Sequence, residues 1–253
     1  MSLKLLYLAY IPAGIWGGTP RRLGFILIVT AAFAGIGHLI RGVTRSGAIA
    51  GGIVCFVLFA CAGPGAFAAL FSVFALTWLA TRVGRARKQQ LGTAERREGR
   101  TASQVVANLG IASLCATWFA FGGTAVWLLA MAGALAEAAA DTVSSECGQA
   151  FSENARLITT FEAVPAGTDG GVTRLGTAAG AGAAMVVGAL GALIGLRADW
   201  LWIPGVAGVV GMLVDSCIGA VFERSGRINN DGVNFIGTAV AAGLAFGLGA
   251  LVG

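Results

Sequence analysis

The stretch WLLAMAGALAEAAADTVSSECG, residues 127–148, decides the fold. Its first half is an uninterrupted apolar run, and Glu137, Asp141 and Glu146 stand at the edge of that run. A carboxylate in hydrocarbon is costly and usually faces a bundle interior or a water-filled cavity. The run therefore reads as one membrane helix of a multi-helix bundle, with its acids walling something wet. The rest of the chain agrees. Of 253 residues, 57% are hydrophobic and 11% charged, with a mean hydropathy of +0.81; a soluble domain has roughly 45–50% apolar and about 25% charged residues. The expected fold class is all-α: a polytopic integral membrane helical bundle, a single membrane domain over 1–253. The alternating segments of about 10 residues that mark a transmembrane β-barrel are absent. Forty glycines suit helices that pack closely in lipid.

Working outward, apolar runs bounded by Arg, Gly and Pro give candidate spans at about 3–17, 22–40, 47–62, 65–82, 103–121, 124–143, 174–196, 200–222 and 232–252. Most approach the roughly 20 residues needed to cross. The count is about nine, with eight as the alternative, because the first and third are short. MSLKLLYLAYIPAGIWGG, at the start, resembles a signal peptide but lacks a clean small-residue cleavage site, so it is read as a first span. Two long connections carry charge: 82–102, with seven basic and two acidic residues, and 144–173, which holds a glycine-rich segment. The opposite connections, AGPG at 62–65, FGGT at 121–124 and RADW at 197–200, are nearly bare. Positive loops prefer the cytoplasm. The charged loops are therefore expected inside, in a membrane such as the bacterial inner membrane, with any site on their side facing the cytoplasm. Arg21 and Arg22 fit this alternation only if the first segment is tilted or does not span.

The net charge of +5 is absorbed by topology, so no nucleic-acid partner is expected. The basic run at 82–100 reads most simply as a topology determinant that touches anionic membrane lipid. Five cysteines show no CxxC pair and read as packing residues. The single His38 makes no metal site. The sequence leaves the oligomeric state open.

All twelve acidic residues follow position 94. Glu137 and Asp141, four apart, share one helix face near its inner end. Asp215, in GMLVDSCIGA, lies about 10 Å from the inner end of its helix at ~1.5 Å per residue. Gln104 and Asn108 open one helix, and Asn230, Asp231 and Asn234 open another. Four helices thus place polar groups at one depth on one side, which predicts a shared interfacial pocket. Blander readings exist for each: Glu137 and Asp141 as partners of arginines, Gln104 and Asn108 as interhelical hydrogen-bond glue. Converging carboxylates need counter-charge, and Mg²⁺ is commonly held by one or two carboxylates plus substrate phosphates. The loop RLITTFEAVPAGTDGG, 156–171, adds Arg156 as a planar fork for phosphate, the hydroxyls of Thr159, Thr160 and Thr168, and a glycine-rich turn able to form an anion nest. It is not a Walker motif. Arg100, beside TASQ, is singled out as a candidate catalytic cation.

The segments ADTVSSECG (140–148), RLITTFEAVPAGTDGG (156–171), VDSCIGA (214–220) and NNDGVNF (229–235), with RSGAIAG (45–51) and SQVVANLG (103–110), resemble the transmembrane protein 19 family. Its best understood members are phytyl-phosphate kinases. The resemblance runs from about residue 22 to the C-terminus, and the loop is its most specific part. Where the family pattern reads PPGTNGG, this chain has Ala166 and Asp169 in place of the second Pro and the Asn. The resemblance implies a membrane kinase that converts an isoprenyl or phytyl monophosphate to the diphosphate, with the nucleoside triphosphate CTP as donor and Mg²⁺ as cofactor. By position it implies Asp141, Glu146 and Asp215 as metal ligands, with Asp141, Asp215 and Arg156 catalytic. It implies Thr159, Thr160, Gly167, Thr168, Asp169, Gly170 and Gly171 as the nucleotide loop, and Asn108 and Asn234 as pocket walls. Two alternatives stay open: a related lipid cytidylyl- or phosphotransferase, and a proton- or cation-coupled transporter.

Overall fold

The computed structural model describes residues 19–94 and 98–252. The expected first span, 3–17, lies outside them. Among the described residues seven helices are long and apolar enough to cross a membrane, and the chain is an α-helical integral membrane bundle.

Helix α1 (Thr19–Leu39) leads through a tight turn into α2 (Arg45–Arg82). Thr44 caps α2, its Oγ1 accepting from Gly47 N. A straight helix of 38 residues would reach about 57 Å at ~1.5 Å per residue, yet both ends of α2 meet the same turn. Thr44 starts it, and Arg82 Nη2 donates to Ile40 O at 2.7 Å. The helix folds back at Gly63 (φ 83°) and Pro64, as the AGPG run predicts. The legs 45–62 and 65–82 are thus the two separate spans read from the sequence, and rings from both pack on α1: Phe25 on Phe59, Phe33 on Phe67 and Phe74.

A short helix α3 (Arg85–Gln90) precedes α4 (Ala102–Ala120). A capping box starts α4: Thr101 N donates to Gln104 Oε1 at 2.8 Å and Thr101 Oγ1 accepts from Gln104 N. Helix α5 (Val126–Phe151) is the axis of the bundle, with α2, α4, α6 (Arg174–Ala189), α8 (Trp202–Ile218) and α9 (Asn230–Val252) around it. Small residues set these approaches: Gly180 of α6 lies on Ala140 O, and Gly208 of α8 on Ala136. Lipid gives no hydrophobic drive between helices, so close backbone packing supplies the cohesion. Between α6 and α8 run a one-turn helix α7 (Gly191–Ile194) and a 3₁₀ turn at Ala198–Trp200.

Three details correct the sequence reading. The 144–173 connection begins with helix: α5 continues to Phe151, because Ser144, Ser145 and Glu146 face a polar cavity rather than needing a loop. The remainder folds into a small antiparallel sheet of β1 (Asn154–Leu157), β2 (Ala163–Pro165) and β3 (Gly171–Val172), in the order β2-β1-β3. The 82–102 connection, read as a topology determinant that touches anionic lipid, also contributes a buried cation. Lys88 is fully buried and donates to Ala80 O (3.1 Å) and Thr81 O (2.9 Å), carbonyls in the last turn of α2, and to Glu146. A cation there also suits the negative end of the helix dipole.

Candidate functional site

A polar cavity of about 380 Å³ opens at the end of the bundle where α5 and α8 finish and α4, α6 and α9 begin. Three helix N-termini therefore surround it. Thr101, Thr173 and Asn229 cap them, with side-chain oxygens accepting from Gln104 N, Gly176 N and Gly232 N. Helix N-termini carry positive partial charge and favour anions.

The opposite wall is acidic. Asp141 of α5 and Asp215 of α8 bring their carboxyl groups together, although they are far apart in sequence. Asp215 is 8% exposed, and its Oδ2 is buried without a hydrogen-bond partner. Glu137, one turn deeper and 1% exposed, also leaves Oε1 without a partner. Both sit against Gly237 of α9: a Cβ there would lie 2.5 Å from Glu137 Oε1 and 3.1 Å from Asp215 Oδ2. Glycine at 237 is what lets α9 close over the acids. Glu223 ends a single π turn, Gly219–Glu223, that extends α8. It stands within electrostatic range of Asp169 and Asp141. Such π turns are rare and frequent at functional sites.

The glycine-rich loop closes the cavity. Gly170 has φ +72°, and a Cβ on it would lie 2.5 Å from Ala220 Cα, so the turn lies directly on the π turn of α8. Thr168 Oγ1 and N both donate to Pro165 O, at 2.8 and 3.2 Å, which shapes the loop. Arg100 completes the wall. Its backbone is fastened to the α1–α2 turn, with Arg100 N donating to Gly42 O (3.1 Å) and Thr44 N donating to Arg100 O (2.9 Å). Its Nη2 donates to Thr142 Oγ1 at 3.0 Å.

The structure brings Asp141, Asp215, Asn108, Asn234, Gly167, Thr168, Asp169, Gly170 and Gly171 to this one cavity. Arg156, Thr159 and Thr160 are not among its walls: Arg156 Nη1 donates to Phe161 O at 2.8 Å and Thr160 Oγ1 to Glu162. They hold the tip of the sheet: β1 presents Ala155 to the cavity, and strand alternation turns its neighbour Arg156 to the opposite, exposed face. Glu146 lines it, but its Oε2 is taken by the buried Lys88. Glu223 was hidden in the sequence by its place at the start of a short charged run, ERSGRINND, which reads as an ordinary loop. A spacing of eight along an α-helix leaves a residue about 80° off the face of Asp215; the π turn Gly219–Glu223 brings Glu223 back to the cavity, so the sequence carried no clear signal for it.

Among the described residues no three acidic, His or Cys side chains form a ready-made metal cage. The donor set fits a hard cation nonetheless. Ionised carboxylates only accept, buried ones need a partner, and Mg²⁺ commonly takes one or two carboxylates and completes its shell from water and substrate phosphates.

Fold and site together define a polytopic helical membrane protein with an acid- and glycine-lined cavity at one end of its bundle. Residues 28–242 match the family described as integral membrane protein DUF92, and the chain belongs to that family. It is 38% identical over 201 residues to the uncharacterized membrane protein MJ0933 of Methanocaldococcus jannaschii, covering 79% of this chain and 83% of that one. It is 32% identical over 198 residues to the uncharacterized membrane protein sll0875 of Synechocystis, covering 76% and 77%. It is 30% identical over 214 residues to Protein VTE6, chloroplastic, of Arabidopsis thaliana, covering 81% and 64%. No solved structure matches it.

Proposed function

We propose that the protein is a membrane kinase that transfers the γ-phosphoryl group of CTP to an isoprenyl or phytyl monophosphate, yielding the diphosphate and CDP. The observation that carries this reading is the single cavity in which Asp141, Asp215 and Glu223 face a glycine-rich turn and three helix N-termini. Acids alone suit a cation, and N-termini alone suit an anion. Both together suit a cation-bound polyphosphate. The resemblance to phytyl-phosphate kinases points the same way.

An acceptor oxygen of the monophosphate attacks the γ-phosphorus, and the bond from that phosphorus to the β–γ bridging oxygen breaks. A phosphate monoester is largely doubly ionised at neutral pH, so the attack needs no general base from the protein. The chain's residues therefore position and neutralise. The N–H groups of Thr168 and Gly171 are spent on Pro165 O and Thr168 O, so the backbone N–H groups of Gly167, Asp169 and Gly170 would hold donor phosphates, Arg100 would face the acceptor, and Asp141, Asp215 and Glu223 would hold Mg²⁺. When bound, that ion supplies neutralisation of charge on the transferring phosphoryl group. Glu146 is left to its ion pair. A prenyl chain is confined to the bilayer and CTP to water, so the reaction belongs at an interface, which we assign to the cytoplasmic side from the basic 82–102 connection.

The test is purified protein with Mg²⁺, geranylgeranyl or phytyl monophosphate, and CTP labelled at either the α or the γ phosphate. The γ label entering a lipid diphosphate is the expected result. The α label entering lipid assigns a cytidylyltransferase instead. Ion flux in liposomes with neither transfer assigns a transporter.

A further inference from the structure

A second cavity, about 420 Å³, adjoins the first and is of a different character. It lies between α1, both legs of α2, and α4, and Phe33, Leu70, Val73 and Phe74 form its deep walls. Its rim carries Arg41, Arg82, Arg85 and Arg100, with no acidic residue among its described walls. Arg100, Gln104 and Asn108 belong to both cavities, so the two share a wall.

Five features make this a built site for an anionic head on an apolar chain. None of the four arginines is within ion-pair distance of a carboxylate among the described residues, and Arg82 and Arg85 repel one another. An anion would relieve that repulsion, and the guanidinium fork matches phosphate. Arg82 is held ready, with its guanidinium 3.7 Å from the centroid of Trp78 and Nη2 on Ile40 O. Trp78 Nε1 is a buried donor with no acceptor. Arg41 holds φ +57°, a conformation a non-glycine residue adopts at a cost. Below the rim the cavity is aromatic and aliphatic, and from Arg82 to Leu70 it runs about 18 Å deep at ~1.5 Å per residue.

We propose that this cavity binds the acceptor, an isoprenoid monophosphate with a single chain of a few isoprene units. The chain lies between α1 and the two legs of α2, and the phosphate sits among the four arginines. Arg100 presents that phosphate through the shared wall to the donor cavity. The proposal rests on the kinase reading and deepens it. Charge selects the occupant: the rim is wholly cationic, the interior wholly uncharged, and the contact with the carboxylate cavity comes only at the phosphate end. A diacyl phospholipid offers the same headgroup chemistry but two chains.

Gly51 lines this cavity, and nothing lies within 4 Å of a Cβ built on it. Gly51→Phe therefore fills the sleeve without displacing backbone. For geranylgeranyl monophosphate, kcat/KM should fall about 15- to 50-fold, the effect of denying burial to two or three chain carbons. For dimethylallyl monophosphate it should stay within about twofold, with KM for CTP unchanged; an equal loss on both acceptors, or on neither, overturns the proposal. Arg85→Ala should raise acceptor KM about tenfold at every chain length, since it grips the head alone. Wild-type protein supplies an arm that needs neither turnover nor a folded variant. Geranylgeranyl monophosphate with a terminal diazirine should crosslink within residues 33–37 or 70–78, and unlabelled geranylgeranyl monophosphate should compete it away. Crosslinks elsewhere, or equal competition by phosphatidic acid, overturn the proposal. If wild type crosslinks as described yet transfers no phosphoryl group to any prenyl phosphate, the binding site stands and the kinase reading falls.

Discussion

The ion pair between Lys88 and Glu146 separates a structural role for Glu146 from a catalytic one. The side chains of the pair are 1% and 10% exposed, and Lys88 also satisfies Ala80 O and Thr81 O. Removing one partner of a buried pair costs about 3–5 kcal/mol, while replacing both with apolar residues of similar volume is often neutral. Lys88→Met strands Glu146 and Thr81 O, so it should lower Tm by roughly 6–20 °C, at about 2–4 °C per kcal/mol for a chain of this size. Glu146→Gln keeps an acceptor for Lys88 and should cost less, about 1–3 kcal/mol, as a lost charged hydrogen bond. The double variant Lys88→Met/Glu146→Leu should recover much of the stability that Lys88→Met loses, since it leaves no buried charge unpaired. Thermal unfolding in detergent, followed by intrinsic tryptophan fluorescence, reads all four proteins. Turnover measured well below each Tm supplies the second axis. Glu146→Gln should keep kcat within about threefold there, since a group that only holds α3 to α5 adds little to the transition state. The reasoning is refuted if Glu146→Gln melts like wild type but loses ~10²–10³ in kcat, the signature of a ligand or charge acting on the reaction.

Four further outcomes follow from the same geometry. Glu223→Gln should raise the Mg²⁺ concentration needed for half-maximal turnover about tenfold or more, read by metal titration. Gly170→Ala should cost about 1–2 kcal/mol for its left-handed backbone and raise KM for CTP, because the added methyl meets Ala220; steady-state kinetics at fixed acceptor checks this. Gly237→Ala should depress kcat more than Tm, since its Cβ meets Glu137 and Asp215, and paired melting and turnover assays read the two effects. Arg156→Ala should leave kcat within about twofold, since the side chain ties down Phe161 O outside the cavity; a loss of ~10² would restore it to the site.

The sequence exposed the spans because lipid demands long apolar helices, and AGPG at 62–65 marked a fold-back that a helix assignment alone would hide. It also exposed the acids. A carboxylate pair four apart on one helix and a lone Asp215 inside another can be solvated together only at one end of the bundle. What stayed hidden was whatever depends on tertiary depth. Lys88 looked like one more positive charge in a topology-setting run, and only its burial against the end of α2 shows it as a cap. Arg156 looked close to the glycine-rich turn in sequence, but the short β1 strand carries it to the far side. Gln104 looked like interhelical glue and is spent largely on the capping box of α4. The aromatic sleeve could not be read at all, because Phe33, Leu70 and Phe74 are ordinary lipid-facing or core residues until the legs of α2 close around α1.

The central claim is that acids from α5 and α8 act together on a phosphoryl group passing from water-borne nucleotide to membrane-borne phosphate. Transfer of γ label from CTP to geranylgeranyl monophosphate, measured side by side for wild type, Asp141→Asn and Asp215→Asn, tests it most directly. The account predicts a labelled lipid diphosphate with wild type and a loss of ~10²–10³ in kcat for each variant, at unchanged Tm or better. Near-normal transfer by either variant, or no labelled lipid with wild type across prenyl chain lengths, contradicts it.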